Sequence, residues 1–255
     1  MDKLQWQEPD AAIALKPDEV HVWAASLERT ESERNVLFES LSVDEKERAN
    51  RFHFDRDRYH YIAGRGILRL LIGQYLNIVP GQLGFTYGVY GKPKLAAGYQ
   101  LQDGRFEFNL SHSHGMALYA FAIDREVGVD IEPIRPLSDA HSIAERFFSA
   151  REYKQFTAVP PSLQSQAFFN CWTRKEAYIK AIGDGLSCPL DAFDVTLTPG
   201  RPAQLLQVHG SVTEAEKWKL YSLLPKHGYI GAVIAAGTEW YLKQWSLPDQ
   251  IVGVY

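Results

Sequence analysis

Gly128-Val129-Asp130-Ile131-Glu132 and, some 40 residues on, Trp172-Thr173-Arg174-Lys175-Glu176-Ala177-Tyr178-Ile179-Lys180 are the two stretches from which the chain can be read. The first alternates as a strand does, so Asp130 and Glu132 share a face with Ile131 behind them. The second reads as a helix with Glu176 and Lys180 at i and i+4 on one side. A fold that lays this helix face over that strand face brings three carboxylates and an ammonium together. Acids so placed repel and raise one another's pKa until a cation joins them. Mg2+ takes oxygen ligands, keeps several waters and often shares its shell with substrate phosphates. Lys180 beside it suits the oxygen of a transferring or leaving phosphoryl group. Asp-x-Glu also occurs on ordinary solvated strands, so the pair alone leaves that reading open.

The 255 residues allow one large domain or two small ones. A formal charge of −4 gives no global basic field, which argues against bulk nucleic-acid binding. Cys171 and Cys188 lack the spacing of a zinc site or a disulfide framework, so a reducing, cytoplasmic setting is expected. No apolar run reaches membrane-spanning length, and the N-terminus has no signal-like apolar stretch.

From the N-terminus, His21-Val22-Trp23-Ala24-Ala25-Ser26-Leu27 suits a strand. Ser42 with Glu45 forms a capping-box start of a helix, and Tyr59, Ile62, Ala63, Ile67, Leu70 and Leu71 give residues 55–77 helical spacing. The other faces of that helix carry Arg56, Arg58, His60, Arg65 and Arg69, as a solvated basic face or an anion-binding wall. Tyr90-Gly91-Lys92-Pro93 is a turn. Residues 106–110 read as a strand, Ser111 to Gly115 as its turn, residues 116–123 as a buried strand, and the Asp130 strand as the next member of an antiparallel meander. Residues 141–156 form two helices broken at the capping box Ser149-Ala150-Arg151-Glu152. A long helix at 164–182 closes at Gly183, strands follow at 193–197, 218–223 and 229–235, and the tail from Leu242 is uninformative.

Helix followed by strand-turn-strand occurs twice, with Gly73 and Gly183 closing the helices and Gly115 and Gly228 opening the second strands. This points to two copies of one α+β unit with a site between them, although sparse identities leave coincidence open. The division is 1–125 for the N-terminal half, 126–240 for the half carrying the acids, and 241–255 for the tail. A nucleophile elbow, a Walker A loop and a Gly-x-Gly-x-x-Gly motif are all missing from the sequence, and adjacency of Ser111, His112, Ser113 and His114 is no triad.

Together, Gly-Val-Asp-Ile-Glu at 128–132 and Trp-Thr-Arg-Lys-Glu-Ala-Tyr-Ile-Lys at 172–180 resemble the signature of 4′-phosphopantetheinyl transferases of the Sfp type. Tyr90-Gly91-Lys92-Pro93, Phe108-Asn109-Leu110-Ser111-His112-Ser113 and Arg146-Phe147-Phe148-Ser149 stand in the family's order, so the likeness spans about residues 40–200. It implies a pseudo-dimeric α+β fold with coenzyme A between the halves. It also implies the reaction: a carrier-protein serine attacks the phosphate nearest the pantetheine, and 3′,5′-ADP leaves. The carrier is an acyl, peptidyl or aryl carrier domain. Mg2+ would then sit on Asp130, Glu132 and Glu176, with Glu176 also the candidate proton acceptor and Lys180, with Lys175 beside it, on the phosphates. Ser111 and His112 match the 3′-phosphate contact, and Lys92 and Pro93 the nucleotide pocket. His60 stands where some relatives carry a phosphate-binding arginine; Arg65, one turn away, and Arg48, on the preceding helix, are the other basic candidates. Arg135, Arg146, Phe147 and Phe148 lie where an acidic carrier would dock. A monomer is expected, because the repeat supplies its own interface. A Mg2+-dependent nucleotide pyrophosphohydrolase and a non-catalytic coenzyme A-binding regulator are the competing readings; the second would normally have lost an acid, and none is lost.

Overall fold

The computed structural model describes residues 6–8, 13–99, 104–183 and 188–248. In chain order the N-terminal half contains β1 (Glu19–Ser26), α1 (Glu31–Glu39), α2 (Val43–Asn50), α3 (Asp55–Leu76), β2 (Phe85–Tyr87), β3 (Pro93–Leu95), β4 (Phe106–Ser113) and β5 (Met116–Ile123). There follow β6 (Val127–Pro133), α4 (Ala140–Phe147), α5 (Ala150–Thr157), α6 (Pro161–Ile182), β7 (Phe193–Val195), β8 (Leu205–Val208), α7 (Val212–Ala215), β9 (Trp218–Leu223), β10 (Tyr229–Ala236) and β11 (Tyr241–Ser246). This is an α+β chain with two similarly organised halves.

One sheet has the order β11-β1-β5-β4 and the other β6-β10-β9. Alternation on β5 explains the packing. Tyr119 and Phe121 face the core beneath α3, which includes Ile67 and Leu71, while Leu118 and Ala120 face a second core shared with Val129, Ile131 and Val233. On β10, Ile230, Ala232 and Ile234 turn instead to a third core beneath α6, with Phe168, Tyr178 and Ile179. Both sheets are thus covered on each face, which is why their central strands read as continuous apolar runs.

Glycine lets β6 lie directly on α6. A Cβ on Gly128 would strike the α6 backbone at Ala177 and Ala181, so no side chain can stand between strand and helix there. Two residues further along the same face come Asp130 and then Glu132.

Each half also ties its long helix to a buried capping glutamate. Glu45 reaches back to the Ser42 amide at 3.1 Å and receives Arg65 Nε and Arg69 Nε of α3, each at 2.6 Å. Glu152 reaches back to the Ser149 amide at 2.8 Å and pairs with Lys175 Nζ of α6 at 2.8 Å. Burial pushes the Glu45 carboxyl up, but the Arg69 hydrogen bond and the Arg65 field outweigh it, leaving it below the ordinary carboxylate range.

Several sequence expectations need correction. The meander ends at β5, because β6 crosses to the other sheet and pairs with β10. Ser111, His112 and Ser113 are in β4, and the turn is the left-handed pair His114 and Gly115 (φ 48° and 80°). Asn77 (φ 53°), not Gly73, closes α3, although Gly183 does close α6. The tail holds β11, which runs parallel to β1 from Tyr241 opposite Glu19 to Ser246 opposite Ala24. The basic face of α3 is not uniformly solvated, since Arg65 and Arg69 are buried. Among the described residues no helix is long and apolar enough to cross a membrane.

Glu45→Gln leaves two buried guanidiniums short of their counter-charge and is expected to cost about 3–5 kcal/mol in denaturant unfolding. Because the folded-state pKa of Glu45 is depressed, its contribution is full above the unfolded carboxylate pKa and disappears as the pH falls through the folded value. Gly128→Val, by forcing β6 off α6, should cost about 1–3 kcal/mol or more in the same measurement; unchanged stability would contradict the close approach.

Candidate active site

Where β4, β6 and α6 meet, polar side chains replace the apolar packing. Alternate residues of β4 bond across to β6. Asn109 Oδ1 accepts from the Val129 amide at 3.0 Å, Ser111 Oγ donates to Asp130 Oδ1 at 2.7 Å, and Ser113 Oγ donates to Glu132 Oε2 at 2.8 Å. From α6, Lys180 Nζ reaches Asp130 Oδ1 at 2.6 Å and Ser111 Oγ at 2.8 Å. Glu176, one turn earlier, joins the same acid group electrostatically. Burial raises its pKa, Asp130 and Glu132 raise it further, and Lys180 opposes them. Burial and the Asp130 charge likewise raise Glu132 against the hydrogen bond from Ser113.

Asp130 is buried, and its Oδ2 has no hydrogen-bond partner. An unpartnered buried carboxylate oxygen, two further carboxyl groups held above their usual range and an all-oxygen donor set fit a hard divalent cation. Among the described residues no group of three or more His, Cys, Asp or Glu is arranged as a ready metal cage. The positive charge at Asp130 comes instead from Lys180.

Glu176 and Lys180 line a cavity of about 300 Å³, whose opposite wall is the turn carrying Tyr90, Lys92 and Pro93. Lys92 enters it by its stem only. Its ammonium donates to the Lys180 and Ala181 carbonyls at 2.7 and 3.1 Å, a cation on the C-terminal end of α6. Burial lowers its pKa, with Glu107 and Glu126 opposing.

A second recess of about 680 Å³ is lined by Arg48, Arg56, His60, Tyr61, His112 and Glu28, among others. The edge of His112 is exposed, yet the surrounding protein desolvates the ring and lowers its pKa; Lys180 and His60 add to the effect. His60 Nε2 lies 2.8 Å from Glu28 Oε1, and the Arg48 guanidinium stands 5.4 Å from the Tyr61 ring centroid.

The structure therefore brings together Asp130, Glu132, Glu176, Lys180 and Ser111, sets Lys92 and Pro93 across the cavity, and groups Arg48, His60 and His112 in the recess. Two residues expected at the ligand are engaged within the protein instead. Lys175 is 1% exposed and faces away, with Glu152 and the Leu190 and Phe193 carbonyls as its partners, because it stands one residue, about 100° of helix rotation, from Glu176, whereas Glu176 and Lys180 are four apart on one face. Arg65 is held by Glu45 and by the Tyr87 hydroxyl at 2.5 Å. Of the surface aromatics, Phe148 is core, while Phe147 is half-buried under the exposed Arg146. Glu28, the helix-capping role of Lys92 and the bonds of Asn109 and Ser113 to β6 were not foreseen; for the last two the Asn109-x-Ser111-x-Ser113 alternation was the available signal.

Residues 126–234 match the family model described as the 4′-phosphopantetheinyl transferase superfamily, and residues 23–122 match that of the 4′-phosphopantetheinyl transferase N-terminal region. Over 240 residues the chain is 42% identical to the 4′-phosphopantetheinyl transferase HetI of Nostoc sp., covering 94% of this chain and 97% of that one. The chain belongs to the 4′-phosphopantetheinyl transferase superfamily. It is also 34% identical over 208 residues to the transferase ffp of Bacillus subtilis (81% and 87% of the two chains), and 34% identical over 171 residues to Sfp of Bacillus subtilis (67% and 72%). The two family models meet between β5 and β6, at the join of the two sheets.

Lys175→Met is expected to lower the unfolding free energy by about 3–5 kcal/mol, the cost of stranding buried Glu152. Calorimetry on the folded variant should give an unchanged affinity for coenzyme A; a large loss of affinity would return Lys175 to the ligand.

Proposed function

We propose that the chain transfers the 4′-phosphopantetheinyl group of coenzyme A to a serine hydroxyl of an apo acyl, peptidyl or aryl carrier protein, in a Mg2+-dependent reaction that releases 3′,5′-ADP. The observation that carries this reading is the gathering of Asp130, Glu132, Glu176 and Lys180 where β6 meets α6, with Glu176 and Lys180 also lining the cavity between the halves. The metal would be held by Asp130, through its unpartnered Oδ2, together with Glu132 and Glu176. When bound, Mg2+ supplies positive charge to the pyrophosphate and to the leaving oxygen.

The chain's own residues supply the rest. Lys180, at the cavity wall, leaves Asp130 to donate to the phosphate oxygens. Glu176, beside the acids on the face of α6 that lines the cavity, is the group placed to take the serine proton. The serine oxygen forms a bond to the phosphorus next to pantetheine, and the bond from that phosphorus to the oxygen of 3′,5′-ADP breaks. Pro93 and the stem of Lys92 line the nucleotide side of the cavity. His112 meets the 3′-phosphate, with Arg48 and His60 in the same recess. The exposed Arg135 and Arg146 beside Phe147 offer a basic rim for an acidic carrier. We place the enzyme in the cytoplasm as a monomer, because both halves of the site lie in one chain and both cysteines are free thiols.

Incubation with coenzyme A, Mg2+ and an apo carrier should add the mass of one phosphopantetheine to the carrier, at its serine. Nucleotide cleavage without carrier modification would point to a hydrolase, and binding without turnover to a regulator. Asp130→Ala should abolish transfer with the fold kept; retained Mg2+-dependent activity would remove Asp130 from the metal.

His112 is mostly neutral in the free protein near pH 7 because its pKa is lowered. An arriving 3′-phosphate favours its protonated form, so binding takes up a proton at this residue and tightens as the pH falls. His112→Ala should weaken coenzyme A binding, flatten its pH dependence and leave dephospho-coenzyme A nearly unaffected. Equal losses for both ligands would exclude the assignment.

A further inference from the structure

The inference rests on the metal reading above and concerns what stands in the metal's place before substrate arrives. Asp130 is satisfied on one side only. Its Oδ1 takes two donors, Lys180 Nζ at 2.6 Å and Ser111 Oγ at 2.7 Å, and Lys180 also reaches that hydroxyl at 2.8 Å, closing a three-membered ring of contacts. Its Oδ2 is buried and takes none. The carboxylate thus holds one counter-charge through one oxygen and offers the other.

The ammonium is also free to leave. The Lys180 side chain is 29% exposed where it lines the cavity, whereas its own carbonyl is pinned by Lys92 at 2.7 Å. Backbone and ammonium are therefore decoupled, and a change of side-chain rotamer suffices to move the charge from Asp130 into the cavity. A dication on Asp130 with this ammonium still in place would meet like charge at close range, which opposes binding. A pyrophosphate in the cavity reverses the balance, since it gives the ammonium a more highly charged partner and frees Oδ1.

We infer that Lys180 is a built-in counter-ion that weakens metal binding until the pyrophosphate of coenzyme A draws it away, so that Lys180 couples the binding of the two. By linkage the coupling is reciprocal: the metal raises coenzyme A affinity by the same factor. Lys180 then has a role before chemistry as well as during it, keeping a divalent cation from settling in an empty site.

The test is titration of Mn2+ into the free protein, read from the paramagnetic resonance signal of the unbound ion. Wild type should bind weakly without coenzyme A. Lys180→Met should bind about ten- to hundredfold more tightly, the factor that one charge-assisted hydrogen bond represents. Lys180→Arg, which keeps a cationic donor, should stay near wild type. Lys226→Gln removes an exposed charge from the β9–β10 turn without touching Asp130 and should also change little, separating the contact from general charge. Saturating coenzyme A should tighten Mn2+ binding much more in wild type than in Lys180→Met. Equal Mn2+ affinity of wild type and Lys180→Met, or equal gains in Lys180→Met and Lys226→Gln, would overturn the inference. Asp130→Ala keeps the two readings apart. If it abolishes Mn2+ binding while Lys180→Met changes nothing, the metal site stands and the counter-ion role falls. If Asp130→Ala binds as wild type does, the metal reading itself fails and takes the inference with it.

Discussion

The backbone-on-backbone contact of β6 with α6 at Gly128 sets the geometry on which the site depends. A strand kept at the usual distance by a side chain would leave Asp130 and Glu132 too far from the helix to share a field with Glu176 and Lys180. With the strand seated on the helix, one turn of α6 lies above two successive residues on one face of β6. The short ion pair between Lys180 and Asp130 follows from this, as do the raised pKa values of Glu132 and Glu176. The helix is held from the other side as well, where Lys92, from the N-terminal half, binds its last carbonyls. The helix end bearing Glu176 and Lys180 is therefore fixed between a glycine on one half and a lysine on the other.

The duplication is most evident in how each half anchors its long helix. α3 and α6 are both 22 residues, and each receives a buried glutamate that simultaneously caps a preceding short helix. A capping box on the surface satisfies backbone donors at a helix start. Here the same carboxylate also neutralises buried cations, so cap, helix packing and charge balance depend on one residue in each half. The halves differ in charge: Glu45 serves two arginines and lies below the usual carboxylate range, while Glu152 serves one lysine, and burial raises it. Of the two long helices, α6 is the one that carries Glu176 and Lys180, the latter paired with Asp130 of β6.

The acids and Lys180 were legible because each depends on local periodicity plus a single packing event. The capping boxes at Ser42 and Ser149 were legible for the same reason. What escaped was the second use of a residue. Arg65 and Lys175 look like surface or ligand cations until Glu45 and Glu152, at least 20 positions away, are brought to them. Lys92 in a glycine- and proline-flanked turn reads as part of a nucleotide pocket, yet its ammonium is spent on a helix terminus. Ser-His-Ser-His-Gly has the composition of a loop, but the left-handed pair comes only at His114 and Gly115, so pairing with β5 holds the earlier residues in the strand. β11 is short and pairs in parallel with a strand over 200 residues earlier, a partner that no local pattern specifies.

The central claim is that Asp130, Glu132 and Glu176 jointly hold a divalent cation where coenzyme A brings its pyrophosphate. Crystals grown with coenzyme A and Mn2+, with diffraction recorded at the manganese absorption edge, test it directly. The account predicts an anomalous peak within coordination distance of Asp130 Oδ2 and of both glutamates, touching the pyrophosphate, with Lys180 Nζ moved from Asp130 to a phosphate oxygen. A bound pyrophosphate with Lys180 still on Asp130 and no manganese beside it would contradict the account.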